Sequence, residues 1–276
     1  MPKKNHVSFN GLLTAAGFIA GLASLAAFLG SYWWVFELTT HFRVQYALAL
    51  SLFAMTLLCM RQWRGSALLA AFALLNVTVI ASASWSDNRP ASAVHAEQPT
   101  LRALLANVNI DNLDHDSIRR LIVESSPDVI VLLEVTSWLT DRLQDVYKHY
   151  PHRVSEPRDD PFGIAILSRH PLPSTRIIHL GKTGPPMIIA VVTVGSRSFT
   201  MIGVHPWPPV SAEFAQGRNQ QLAELARLAR ETQPPLLVLG DLNTSPWSPY
   251  FSRLLTDSGL HDSRQGRGIQ PSWPVG

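Results

Sequence analysis

The sequence predicts three membrane-spanning helices at the N-terminus, followed by an α/β domain of two packed β-sheets flanked by helices. Three observations predict it. The first third of the chain holds three long runs without a charged side chain. Beyond them, short aliphatic runs alternate with amphipathic helical patterns. One stretch, "MIIAVVTVGSRSFTMIGVH", sets two strands in immediate succession, which a purely doubly wound parallel sheet does not do.

The uncharged runs are Val7–Phe36, Val44–Met60 and Gly65–Ser86. Each is near the roughly 17 to 25 residues that a helix needs to cross a hydrocarbon core. A buried core helix is the alternative for any one run, but three in succession argue for spans. With no charge inside a span, an ion or proton path through them is not expected. Lys3 and Lys4 precede the first run, and Arg61 and Arg64 separate the second from the third. The opposite flanks hold only Arg43 and Arg89. Cytoplasmic loops are enriched in Lys and Arg, so the expected topology puts the N-terminus inside and the chain after the third span outside. In bacterial terms this is a multi-pass inner-membrane protein with a periplasmic domain. Trp33, Trp34 and Trp85 fall at the expected interfaces. The basic start also suits a cleaved signal peptide, but two spans directly behind it favour a retained anchor. Residues 1–86 are thus read as the anchor.

Residues 87–100 lie in a polar stretch with proline and no apolar period, "SDNRPASAVHAEQPT", which reads as a linker. From Leu101 onward, cations and anions balance, so this part has no formal net charge although the whole chain carries +3. A domain that grips many nucleic-acid phosphates usually carries a basic excess. The single cysteine, Cys59, lies inside the second run, which rules out an intramolecular disulfide.

Strands are expected at Leu101–Val108, Val129–Glu134, Gly163–Ser168, Met187–Val194, Ser198–His205 and Leu236–Asp241. Gly195-Ser196 suits a two-residue hairpin turn between the fourth and fifth of these. Helices are expected at Asp116–Glu124, Ser137–Tyr147, Ser211–Glu231 and Pro249–Thr256. In the longest, Phe214, Leu222, Leu225 and Leu228 share one face, with Arg218, Glu224 and Arg227 read as facing away. His149, His152, His170 and His179 show no ligand spacing. "LGKTG" resembles a nucleotide-binding loop, but Arg176 stands where the earlier glycine is required.

Three expected strands end in polar groups that are costly beside an apolar core. "LLANVNIDN" ends in Asn107 and Asn109, "PDVIVLLEV" in Glu134, and "LLVLGDLNTSP" in Asp241 and Asn243. Each has a bland explanation alone: Glu134 as the cap of the helix near Ser137, Asn243 in an Asx-turn. Together, two carboxylates and neutral amide oxygens at converging strand ends suit a hard divalent cation such as Mg²⁺ or Mn²⁺.

In order along the chain, "NVN", "PDVIVLLE", "FGIAILSR", "VHPWPP" and "GDLN" resemble the motifs of the endonuclease/exonuclease/phosphatase superfamily, above all its membrane-anchored bacterial members. The resemblance runs from Leu101 to Pro274 and implies a four-layer α/β sandwich that hydrolyses phosphodiesters or phosphomonoesters with a divalent cation. Residue by residue, it implies that Glu134 binds the metal, Asn107 lies beside metal and phosphate, and Asp241 orients or activates the attacking water. Asn243 would bind the phosphoryl group and His205 a phosphate oxygen. Asn109 stands where some members carry a second acidic residue. Arg169 after "AILS" and Asp262 in "GLHDS" are further candidates, with a structural role the alternative for each.

The chain departs from the family at its end. Members close with an aspartate-histidine pair on a final strand, whereas this sequence stops at "PSWPVG", and His261-Asp262 are reversed and too early. The expectation is a domain spanning 101–276 that lacks its last strands and hydrolyses poorly. Two functional readings follow: a membrane-anchored, metal-dependent phosphoesterase, or a catalytically impaired binding module that keeps the fold. The partners expected are the bilayer and a phosphate ester, whether nucleic acid, phospholipid headgroup or small phosphodiester.

Overall fold

The computed structural model describes residues 9–84, 100–179 and 184–270. The expected linker, apart from Thr100, lies outside them, as do most of "LGKTG" and the closing "PSWPVG". The described residues form two compact units. One takes the N-terminal helices together with Thr244–Leu255 and the chain from His261; the other takes the chain up to Asn243 and Thr256–Leu260.

In the first unit, three helical segments are long and apolar enough to cross a membrane: Gly11–Leu29, Trp34–Cys59 and Trp63–Ser84. The first is α1 (Phe9–Ala26) continued by a 3-10 turn. The second is built from α2 (Trp34–Leu38), another 3-10 turn and α3 (Arg43–Cys59); the third is α4 (Trp63–Ser84). Leu50, Leu57, Leu69 and Ala73 pack between α3 and α4, while Leu48, Leu52, Met55 and Leu74 stay exposed. An apolar surface turned outward is what lipid, not water, favours.

The second segment corrects the sequence reading. It begins at Trp34, where Trp33 turns extended after Gly30, and so takes in Glu37 and Arg43. Both are buried. Arg43 is tolerated because the bundle supplies partners: its Nη1 donates to the Ser24 carbonyl at 2.9 Å and to Asn76 Oδ1 at 3.1 Å, with its guanidinium 4.2 Å above the Phe28 ring.

The second unit holds two four-stranded sheets. The first has the order β1 (Ala103–Asn107), β2 (Val129–Leu133), β4 (Ile164–Ser168), β3 (His152–Glu156). The second runs β5 (Ser174–His179), β6 (Pro186–Val194), β7 (Arg197–Val204), β8 (Leu236–Gly240). Each is mixed: β1–β2 and β7–β8 pair in parallel, the other neighbours antiparallel. The parallel pairs are joined through α5 (His115–Ser125) and α8 (Ala212–Glu231). Val194 pairs with Arg197 around Gly195-Ser196, with Gly195 at φ 60°, so the hairpin forms where expected.

Alternation explains why every residue of β2 is buried. Val129, Val131 and Leu133 meet Ile188, Ala190 and Met201 of the other sheet. Ile130 and Leu132 meet Ile118 and Ile122 of α5 and Leu139 of α6 (Ser137–Arg142). On the other side α8 buries Ala215, Leu222, Leu225 and Ala226. The result is helix, sheet, sheet, helix. Strands β3 and β5 were not expected. The expected helix Ser137–Tyr147 is interrupted at Leu143 into α6 and α7 (Gln144–Tyr147), and α9 spans Pro249–Ser258.

Candidate active site

The ends of β1, β2 and β8 meet. Asn107 closes β1, and its Nδ2 donates to Glu134 Oε1 at 2.7 Å and lies 3.4 Å from Asp241 Oδ2. One amide from the first sheet thus touches carboxylates carried by both sheets. Its orientation is set on the other side, where Oδ1 accepts from Asn109 N at 3.0 Å. Glu134 Oε2 accepts from Ile110 N at 2.9 Å. Asp241 Oδ1 accepts from Asn243 N at 3.0 Å, and Asn243 Nδ2 donates to the Pro206 carbonyl at 2.9 Å. Glu134 is not the cap of α6: Thr136 Oγ1 takes that place by accepting from Leu139 N.

Backbone conformation marks the same spot. Five described non-glycine residues have positive φ, and Asn109 (59°), Glu134 (63°) and Asn243 (48°) are three of them. Asparagine visits this region with little cost, but a glutamate there costs about 1–2 kcal/mol. Such strain persists where the surroundings over-determine it, and it clusters at functional sites. Close packing does part of that work: a Cβ on Gly240 would lie 2.0 Å from the Val204 carbonyl oxygen, so the residue before Asp241 has to be glycine.

His205 follows β7 directly. It is buried, its ring centroid 5.8 Å from that of Phe162, and its Nδ1 has no hydrogen-bond partner among the described residues. Burial pushes its pKa below the ordinary histidine value; the charges of Asp241 and Glu134 and the backbone of Pro161 act in the opposite direction. A neutral imidazole with a vacant ring nitrogen is a group that can accept or give a proton.

One residue was misread. Arg218 of α8 does not face away: it is fully buried, and its Nη1 donates to the Asn243 carbonyl at 2.6 Å. Its neighbour on the helix, Gln221, accepts from Trp207 N at 2.8 Å. The signal was present, since Arg218 stands four residues after Phe214 and four before Leu222, on the apolar stripe itself.

Of the remaining candidates, Asn109 borders the convergence and the other two lie outside it. Asn109 shapes the turn after β1, accepting from Asp111 N at 3.1 Å. Arg169 follows the far end of β4, where Ser168 pairs with the first residue of β2; it donates to Ser126 Oγ at 3.0 Å and stacks over the Tyr150 ring. It is not part of the convergence. Asp262 belongs to the other compact unit and is held by Arg264, whose Nε lies 3.0 Å from Oδ1.

The donor set suits a hard cation. No group of three or more His, Cys, Asp and Glu side chains clusters among the described residues. The two converging carboxylates match the sites where Mg²⁺ takes one or two carboxylates and completes its shell with water and phosphate.

The sequence profile described as the endonuclease/exonuclease/phosphatase family matches residues 104–276. Comparison with curated proteins yields no match. Solved structures of similar fold include sphingomyelinase C from Streptomyces griseocarneus, 20% identical, covering 60% of this chain and 72% of that one at a TM-score of 0.49. A mutant beta toxin from Staphylococcus aureus with bound magnesium ions is 20% identical over 59% of this chain and 72% of its own, TM-score 0.48. A humanised TDP2 from D. rerio is 18% identical over 59% and 68%, TM-score 0.48.

Proposed function

The chain belongs to the endonuclease/exonuclease/phosphatase family, and on that premise we propose that it is a membrane-anchored, divalent-metal-dependent phosphoesterase. One observation carries the reading: Asn107 Nδ2 contacts Glu134 Oε1 and Asp241 Oδ2, so carboxylates from two sheets share one position. Glu134 and Asp241 would hold Mg²⁺ or Mn²⁺ there, with Asn107 beside them as a hydrogen-bond donor. When bound, the metal would polarise the phosphoryl group. The other groups act by their own chemistry. Asp241, held by the Asn243 amide, orients the attacking water. The Asn243 side-chain amide lies beside the phosphoryl oxygens, and the vacant nitrogen of His205 takes or returns the proton. Preorganised groups of this kind stabilise charge as it develops, without reorganising at the moment of reaction.

In this reading residues 1–86 anchor the protein in a bacterial inner membrane, 87–100 link, and 101–276 form the phosphoesterase domain. The Lys3, Lys4, Arg61 and Arg64 bias supports a cytoplasmic N-terminus and a periplasmic domain. A reporter active only in the periplasm, fused after Gly276, is expected to be active; activity from a cytoplasmic reporter alone overturns the topology. The balanced charge from Leu101 onward favours a phospholipid headgroup or small phosphodiester over a long nucleic acid.

The test is turnover of a chromogenic phosphodiester by the full chain in detergent micelles with Mg²⁺ or Mn²⁺. We expect hydrolysis that Asp241→Asn lowers by about 10² to 10⁴, the range for losing a positioned acid-base group. Glu134→Gln is expected to weaken Mg²⁺ binding with the fold intact. A folded chain with no turnover in either metal would leave the binding-module reading in its place.

A further inference from the structure

The boundary between the two compact units falls between Asn243 and Thr244, directly after the Asp241–Asn243 motif. The chain that follows packs with the N-terminal helices. Its first turn is closed by Ser248 N donating to the Ser245 carbonyl at 3.0 Å. Both serines of that turn are buried, and both are bonded to the second membrane-spanning segment. Ser248 Oγ donates to Glu37 Oε1 at 2.7 Å, and Ser245 Oγ lies 3.0 Å from Thr40 Oγ1. Glu37, Thr40 and Ser248 have no exposed surface.

A buried carboxyl in an apolar span is costly, and such groups mark function more often than structure. Here its hydrogen bond reaches a turn five residues past Asn243. The backbone at Asn243 is itself strained, at φ 48°, and is held at its N–H by Asp241 and at its carbonyl by Arg218. Strain of this kind persists where the surroundings over-determine it, and a fixed turn after Asn243 adds to the ties from Asp241 and Arg218.

We propose that Glu37 is a positioning residue for the phosphate-ester site: through Ser248 it fixes the turn that follows Asp241–Asn243 and so keeps these two groups in their working geometry. The inference rests on the function proposed above. Glu37 does not touch the reacting atoms and acts only through the chain.

The experiment compares the full chain and three variants in detergent micelles, reading amide hydrogen exchange by mass spectrometry and, in parallel, turnover of the chromogenic phosphodiester. Glu37→Leu and Ser248→Ala are each expected to speed exchange in the peptide covering 240–247 by about ten-fold, the effect of losing one hydrogen bond. Exchange in β6 should not change, which separates this loss from general destabilisation. Glu37→Gln keeps an acceptor oxygen and should restore the wild-type rate. In turnover, kcat should fall about as far while KM holds, again rescued by Gln. Wild-type exchange in both Glu37→Leu and Ser248→Ala overturns the proposal, as does undiminished kcat in both. Should Glu37→Leu fail to fold, Ser248→Ala, which removes one oxygen, decides alone. A wild-type chain without turnover overturns the function reading, while the exchange comparison still decides whether Glu37 holds the turn.

Discussion

Strands β2 and β8 each deliver one carboxylate to the cleft, and they hold it by different means. β2 is buried along its whole length, paired with β1 on one side and β4 on the other, and covered on both faces. β8 is only half-buried and pairs, among the described residues, with β7 alone. Glu134, at φ 63°, therefore leaves a strand fixed by packing, and its carboxylate is tied by Asn107 and the Ile110 N–H. Asp241 relies more on polar ties: its own bond to Asn243 N and the Arg218 bond to the Asn243 carbonyl. Packing gives stability and geometry together. Polar ties give geometry with little stability, because each net hydrogen bond contributes only about 1 kcal/mol.

The contrast breaks if substitutions on the two sides behave alike. The largest effect on stability is expected on the β2 side. Leu132→Ala, deleting a fully buried side chain between β2 and the helices, should cost about 2–5 kcal/mol in chemical denaturation. Turnover per folded molecule should stay near wild type, because the Glu134 contacts are untouched. Arg218→Met should do the reverse. It leaves the Asn243 carbonyl without this donor, a loss of about 1–3 kcal/mol, yet it should lower kcat more than Leu132→Ala does. Equal turnover in the two variants would show that Asp241 is held by its strand as well.

Much of this was legible in the sequence, for a definite physical reason. Polar residues closing aliphatic runs stand out because burying them unpaired is costly, so Asn107, Glu134, Asp241 and Asn243 could be named without coordinates. The β6–β7 hairpin was legible because Gly195-Ser196 separates two largely apolar runs. β3 and β5 were not, since "HRVSE" and "STRIIH" carry polar residues at most positions and take their strand state from the neighbours they pair with. Arg218 was misread because charge was weighed above its place on the helical stripe. The uncharged runs ended at Phe36 and resumed at Val44 for the same reason, although Glu37 and Arg43 both find polar partners in the fold. The strain at Glu134 is a property of the fold, and nothing in its residue type announces it.

The smallest expected effect concerns His205, where both carboxylates act on one ring. Burial disfavours its protonated form, while Asp241 and Glu134 favour it, so the net depression of its pKa is what remains after partial cancellation. The sign follows from linkage. With a folded-state pKa below the unfolded value of about 6.5, the unfolded chain binds more protons between the two, and stability there rises with pH. The His205 contribution is therefore fully present above the unfolded pKa and is lost as pH falls through the folded one. Denaturation of the full chain at a series of pH values from neutral downward should show this decline, and His205→Gln, which cannot titrate, should flatten it. The variant also sharpens the comparison of the two strands. If Glu134 is held by packing, Glu134→Gln removes only its charge, so the ring loses one favourable neighbour, its folded-state pKa falls further, and the decline should begin at the same pH but extend to lower pH and deepen. Asp241→Asn should shift it in the same direction. A decline that ends at the wild-type pH or above it in both variants would mean that these carboxylates do not act on the ring.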